Sequence, residues 1–267
     1  MARYIVTGDG FVIYDVLTEY RNRLAGELRP ETARMYTSRL EILLEGQSVT
    51  DPTHNLDFDL ILKKLSNIKY KNEFSQYKNA FLYFAKFNNI VLDDNFLKQV
   101  TELENQTHKK YRKRHEIDFN KVDRTIKHLS NQKLKLSYQA LLETGLRVSE
   151  LSQMTRKDVR IDENTLSFSF TGKGGYKETI TFSKEDNPKL FQELKTMIQN
   201  TKSNKLFYSA NYLQSKAKEY GFQCHDLRRA CSKIEYKKSR SKKDVQEKLR
   251  HKDPKTTDIY LKSKIKI

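Results

Sequence analysis

Hydrophobic residues recur along this chain with two different periods. Over the first hundred residues the period is helical. Val12, Val16, Tyr20 and Leu24 share one stripe that ends at Gly26. A second helix opens at "RPETARMY", with Pro30 in the first turn and Tyr36, Leu40, Leu43 and Leu44 carrying the apolar face to Gly46. A short third pattern runs through "FDLILKKL". The fourth is the clearest, because Phe74, Tyr77, Phe81, Phe84 and Phe87 repeat at helical intervals before Asn88 and Asn89. Spacing that strict marks the aromatic stripe as a core seam rather than a base-stacking platform. Together these patterns predict a small all-helical bundle.

Between Thr101 and His115 the period fades into "TELENQTHKKYRKRH", polar and then strongly basic. This reads as an interdomain linker lying along a phosphate backbone, with a solvated charge run as the plainer alternative. Helical spacing then resumes, with Asp118 as N-cap and Phe119, Val122, Ile126 and Leu129 on one face. Another helix runs from Leu136 to Thr144 and stops at Gly145. The period next drops to two in "LSFSFTGKGGYKETITF", where Leu166, Phe168 and Phe170 on one arm and Ile180 and Phe182 on the other predict a hairpin with Lys173 near its turn. Helical patterns return over 188–199, 211–220, 225–236, 242–249 and 254–262. The expected architecture is mainly α with a small antiparallel sheet, divided into a helical domain over 1–104, a linker over 105–117 and a second domain over 118–267.

Charge changes this picture from a fold into a partner. The formal charge is +17, and it is unevenly placed: residues 1–107 carry 13 Lys and Arg against 15 Asp and Glu, whereas residues 108–267 carry 38 against 19. A field of that size attracts polyanions, of which nucleic acid is the commonest. In the first half only a local face with Arg34, Arg39, Lys71 and Lys78 is available for DNA. In the linker, Lys109, Lys110, Arg112, Lys113 and Arg114 form the basic footprint. No apolar run approaches the roughly 18 residues that cross a bilayer, and no secretion signal opens the chain, so a cytoplasmic protein without a membrane partner is expected. With only Cys224 and Cys231 present, a disulfide framework is excluded, and neither metal-ligand spacing nor a Walker-type loop is found.

Phosphoryl transfer to a side chain needs cations on the nonbridging oxygens, a nucleophile, and a proton donor for the leaving alkoxide. Without a carboxylate cluster for magnesium, Arg, Lys and His must supply the charge, and arginine's planar fork suits phosphate best. "ETGLRVSEL" places Arg147 just beyond a Gly-terminated helix, with Glu150 able to brace it. "HDLRRACSK" puts His225 and Arg228 on one helical face. "LRH" supplies His251 ahead of a short helix bearing Tyr260.

In this order, "TGLRVSELSQM", "TGKGGYKETITF", "HDLRRACSK" and "LRHKDPKTTDIYLK" resemble the motifs of the tyrosine recombinases, or phage integrase family, over 118–267. The first hundred residues look like that family's helical, SAM-like core-binding domain. The resemblance implies that Arg147 and Arg228 clamp the phosphate, Lys173 protonates the leaving 5′ oxygen, His225 and His251 contact the phosphate and assist proton transfer, Glu150 supports the site, and Tyr260 is the nucleophile. Lys177 is a rival to Lys173. Arg250 stands where the family usually has glycine, so its turn must tolerate a side chain, which is then available to DNA. The chemistry so implied needs no cofactor and no metal. The implied partner is double-stranded DNA with inverted half-sites, bound by a clamp of two domains. A homo-tetramer is expected on synapsed sites, with a free monomer left open. Integration, excision and dimer resolution remain open, as do a type IB topoisomerase and a non-catalytic DNA-binding regulator.

Overall fold

The computed structural model describes residues 14–28, 30–47, 56–109, 116–172 and 175–267. The chain packs as two compact units, residues 1–112 and 113–267. The architecture is mainly helical with a small antiparallel sheet, as the two periods predict.

The first unit holds α1 (Tyr14–Glu27), α2 (Pro30–Leu44), α3 (Phe58–Ser66), α4 (Lys71–Phe87) and α5 (Asp94–Gln106). The aromatic stripe of α4 is the core: Phe74, Phe81 and Phe84 are fully enclosed against Tyr20, Leu24, Leu40, Leu43 and Ile61. Tyr20 buries its phenol by donating to the Ala80 carbonyl at 3.2 Å. Helix α5 was not expected. Its N-terminus is capped by Asp93, whose carboxylate accepts from Phe96 N at 2.6 Å, and it buries only Phe96 and Val100. So narrow a stripe among charged residues is easily taken for linker, and the helix runs two residues beyond 104. Val12, Lys110, Arg112, Lys113 and Arg114 lie outside the described residues.

The second unit opens with β1 (Ile117–Asp118) and α6 (Phe119–Lys127), which Asp118 caps through Asn120 N at 3.0 Å. Next come α7 (Gln132–Thr144), α8 (Val148–Gln153), a 3₁₀ turn (Arg156–Asp158), and strands β2 (Val159–Ile161), β3 (Thr165–Thr171) and β4 (Lys177–Ser183). The sheet order is β2-β3-β4, antiparallel throughout. Leu166, Phe168 and Phe182 face the core, while Ser167 pairs with Thr181 and Ser169 with Thr179 on the opposite face at 3.2 and 3.1 Å. Strand β2 extends the expected hairpin by three residues, too few for alternation to reveal. The chain ends with α9 (Pro188–Asn200), α10 (Ala210–Glu219), α11 (Cys224–Ser239), α12 (Lys242–Leu249), α13 (Pro254–Leu261) and β5 (Ile265–Lys266).

Strand β5 pairs in parallel with β1, so the first and last strands of this unit clasp each other. Lys233 on α11 secures the tail by donating to the carbonyls of Ser263 at 2.7 Å and Ile265 at 2.8 Å. Helices α11, α12 and α13 pack together around Cys231, Val245, Leu249 and Tyr260. Cys224 and Cys231 are both buried free thiols, and burial pushes them up to about 12 and about 11 respectively. Among the described residues, no helix is long and apolar enough to cross a membrane.

Candidate active site

The stop of α7 and the start of α8 place Arg147. Gly145 takes a left-handed φ of +61° and ends α7, and a Cβ there would lie 2.6 Å from Leu249 Cδ2. Glycine is therefore required twice, by the backbone and by the close approach of α12. Arg147 is the N-cap of α8. Glu150 in the first turn accepts from Arg147 N at 2.8 Å through one oxygen and from Nη1 at 2.7 Å through the other. One carboxylate thus fixes both the backbone and the guanidinium of Arg147, whose side chain stays 32% exposed.

Helix α11 supplies His225 and Arg228. Arg228 is 1% exposed and donates through Nη1 to the Gly145 carbonyl and through Nη2 to the Leu249 carbonyl. Its Nε has no partner, and among the described residues no carboxylate forms an ion pair with it. Tyr260 is buried on α13. Its hydroxyl lies 2.9 Å from His225 Nε2, and its ring packs edge-on against both His225 and His251, with centroids 5.2 and 4.7 Å apart. The Arg228 guanidinium carbon is 5.9 Å from the Tyr260 ring centroid. His251, buried in the turn between α12 and α13, bonds Thr257 Oγ1 through Nδ1 at 3.0 Å, leaving Nε2 without a partner. A cavity of about 550 Å³ opens beside the cluster, lined by Arg147, Val148, Gln223, His225 and Arg228 among others.

Two charges in this cluster are balanced and one is not. Arg147 and Arg250 share Glu150, with Arg250 reaching Glu178 as well. Among the described residues, Arg228 is hydrogen-bonded by carbonyl oxygens alone. Burial, with the Arg147 charge nearby, lowers the Arg228 pKa from its ordinary value. Burial and then Arg228, Arg147 and Arg250 push His251 down to about 4. Packing of the ring edge that faces Tyr260, followed by Arg229 and Arg228, takes His225 to about 4 as well. Its outer edge is open to solvent, which screens that shift. Both imidazoles are neutral at pH 7 in a positively charged setting, which suits them to an anion.

The fold thus brings together Arg147, Glu150, His225, Arg228, His251 and Tyr260, from segments more than a hundred residues apart in sequence. Lys173 lies outside the described residues. Lys177 is exposed at the start of β4, across from Thr171. Arg250 turns inward between carboxylates, with its side chain 14% exposed, instead of outward as its reading as a DNA contact required. Lys109 is exposed. In the first unit, Arg34 and Lys71 are exposed, but Lys78 pairs with Glu104 and Arg39 stacks 4.8 Å over Tyr77. Three contributors escaped the sequence reading. Thr257 sits one turn before Tyr260 on α13 and orients His251; Gln246 donates to the His251 carbonyl at 2.9 Å; Glu178 holds Arg250. Only Thr257 had a signal, its i−3 spacing from Tyr260.

The sequence matches the phage integrase family model over residues 115–266, more than half of the chain. The chain belongs to the phage integrase family. The part matching this family contains every residue of the cluster. Tyrosine recombinase XerA of Saccharolobus solfataricus is 29% identical over 148 residues, which are 54% of this chain and 50% of the relative, so the chain spans about half the length of that protein. Among solved structures, a lambda integrase fragment, a dimer bound to a COC′ core site, superposes with a TM-score of 0.63 at 16% identity, covering 93% of this chain and 95% of that one. The XerH site-specific recombinase bound to palindromic difH substrate, in a post-cleavage complex, gives 0.60 at 18% identity over 91% of this chain and 80% of that one. At these identities the likeness establishes the phage integrase fold.

Proposed function

We propose that this protein is a site-specific DNA recombinase that cuts and rejoins duplex DNA through a 3′-phosphotyrosine on Tyr260. One observation carries the reading: a phenol, two neutral imidazoles and a buried guanidinium without a carboxylate meet in one cluster, beside a second guanidinium braced by Glu150. The unpartnered Nε of Arg228 and Nε2 of His251 are donors suited to phosphate oxygens. Arg147 supplies a fork from the exposed side.

In the cleavage step Tyr260 Oη attacks the phosphorus, and the bond to the 5′ oxygen breaks. His225 Nε2, 2.9 Å from that phenol, takes its proton. The bound phosphate's negative charge offsets the nearby arginines and raises the His225 pKa toward a useful value. The leaving 5′ alkoxide is protonated by Lys173, the role its motif implies. A 5′ hydroxyl from a partner strand then attacks the phosphotyrosine and reverses the step, conserving the phosphodiester's energy. The substrate is double-stranded DNA with inverted half-sites, bound by four copies when two sites pair. The linker cations at 109–114 follow the backbone, and the helical first unit holds the same duplex.

The test is a nicked duplex whose short leaving strand diffuses away. Wild-type protein accumulates a covalent protein–DNA adduct and Tyr260→Phe gives none; an adduct on the variant assigns the nucleophile elsewhere. Strand exchange between two duplexes, as opposed to sequence-indifferent relaxation of supercoils, separates recombination from topoisomerase activity.

A further inference from the structure

At Arg250 the backbone and the side chain ask for different residues. Its φ of 54° is left-handed, a conformation that strains any residue with a Cβ and that glycine adopts freely. That strain persists because the side chain is tied down on three sides. Nη2 lies 3.3 Å from Glu150 Oε2, Nε lies 3.0 Å from Glu178 Oε2 as an ion pair without hydrogen-bond alignment, and the guanidinium carbon sits 5.0 Å over the Phe170 ring.

Each of those partners belongs to something the chemistry needs. Glu150 is the carboxylate that holds Arg147 by its backbone and its fork. Phe170 and Glu178 face each other across β3 and β4, and so lie on the same face of the sheet near the hairpin tip. A carboxylate on that apolar face requires a cation, which Arg250 supplies. Glu178 also lies along the hairpin backbone, since a Cβ on Gly172 would stand 2.6 Å from its Oε1. Two residues further on, Lys252 Nζ lies 4.1 Å from the Tyr176 ring centroid. The turn carrying His251 therefore grips the hairpin at residues 170, 176 and 178.

We propose that Arg250 is a positioning residue, not a DNA contact: it joins the hairpin to the Glu150 brace of Arg147 and holds both in register with His251. The catalytic part of this inference rests on the recombinase reading above, and the link to the hairpin does not. Glycine at position 250 relieves the backbone but breaks the link, so Arg250→Gly folds and remains informative.

The experiment compares full-length wild type, Arg250→Gly, Arg250→Lys, Glu178→Gln and the Arg250→Gly/Glu178→Gln double variant on the nicked duplex. Loosening the register slows adduct formation by Arg250→Gly and Glu178→Gln roughly 100-fold. The double variant is no slower than the slower single one, because both break one link. Arg250→Lys keeps a charge without the fork and recovers part of the rate. DNA affinity and its salt dependence stay at wild-type values throughout. Affinity that falls with a salt slope shallower by about one identifies a phosphate contact and overturns the proposal, as does a wild-type rate in Arg250→Gly. Should wild type form no adduct, the recombinase reading fails, and amide exchange decides the link on its own. Faster exchange at Gly172, whose N–H donates to the Tyr176 carbonyl at 2.8 Å, supports it; unchanged exchange overturns it.

Discussion

Arg228 buries a full charge against two carbonyl oxygens, an arrangement that costs several kcal/mol when no counter-ion shares the site. Burial, and after it the same field, set the protonation of His251. Its folded-state pKa of about 4 lies below the ordinary 6.5, so between those values the unfolded chain binds protons that the folded chain refuses. Stability from this group is complete above about pH 6.5 and is lost as pH falls toward 4. The charges acting on the ring are those of Arg228, Arg147, Arg250 and His225, while the Tyr260 ring packs edge-on against it and Thr257 is bonded to Nδ1. Denaturant titrations across this window should show wild type losing up to about 3 kcal/mol through His251, with a shallower curve for His251→Asn. Equal slopes for the two proteins contradict the assignment. Thr257 shows why this scale was only partly legible: a hydroxyl that orients an imidazole carries no sequence signature until both are placed in space.

Among the elements, the junction of α7 and α8 is the one on which the others depend. Gly145 ends α7, lets α12 approach, and offers its carbonyl to Arg228. Gly145→Ala combines left-handed strain with a clash against Leu249 and should lower unfolding stability by about 2–4 kcal/mol in urea titrations. A change within a few tenths of wild type removes the argument. This glycine was readable in the sequence because a helix stop before an arginine has a local cause. The long aromatic stripe of α4 and the alternation of β3 and β4 were readable for the same reason. Helix α5, strand β2 and the β1–β5 pair were not. Their apolar faces hold two or three residues, and what stabilises them is contact with distant chain. At Arg250 the charge was visible but its surroundings were not, because the two carboxylates that capture it lie 72 and 100 positions away.

At the scale of the whole molecule, charge is divided as unevenly as chemistry. The first 107 residues carry a net −2, and residues 108–267 carry +19, more than the whole chain's +17. Binding to duplex DNA should therefore weaken steeply with salt. Six neutralised phosphates give a slope of about −5 in log affinity against log salt, and a nearly flat line excludes an interface built on phosphate contacts. The β1–β5 clasp adds a mechanical constraint on the same scale. Four residues, 261–264, separate Tyr260 from a strand hydrogen-bonded into its own unit, five Cα–Cα steps and so a leash of at most about 18 Å when fully drawn. On so short a tether the Tyr260 phenol stays with the imidazoles and guanidinium groups of its own polypeptide. Under the recombinase reading proposed above, each copy therefore brings these groups to its DNA already gathered.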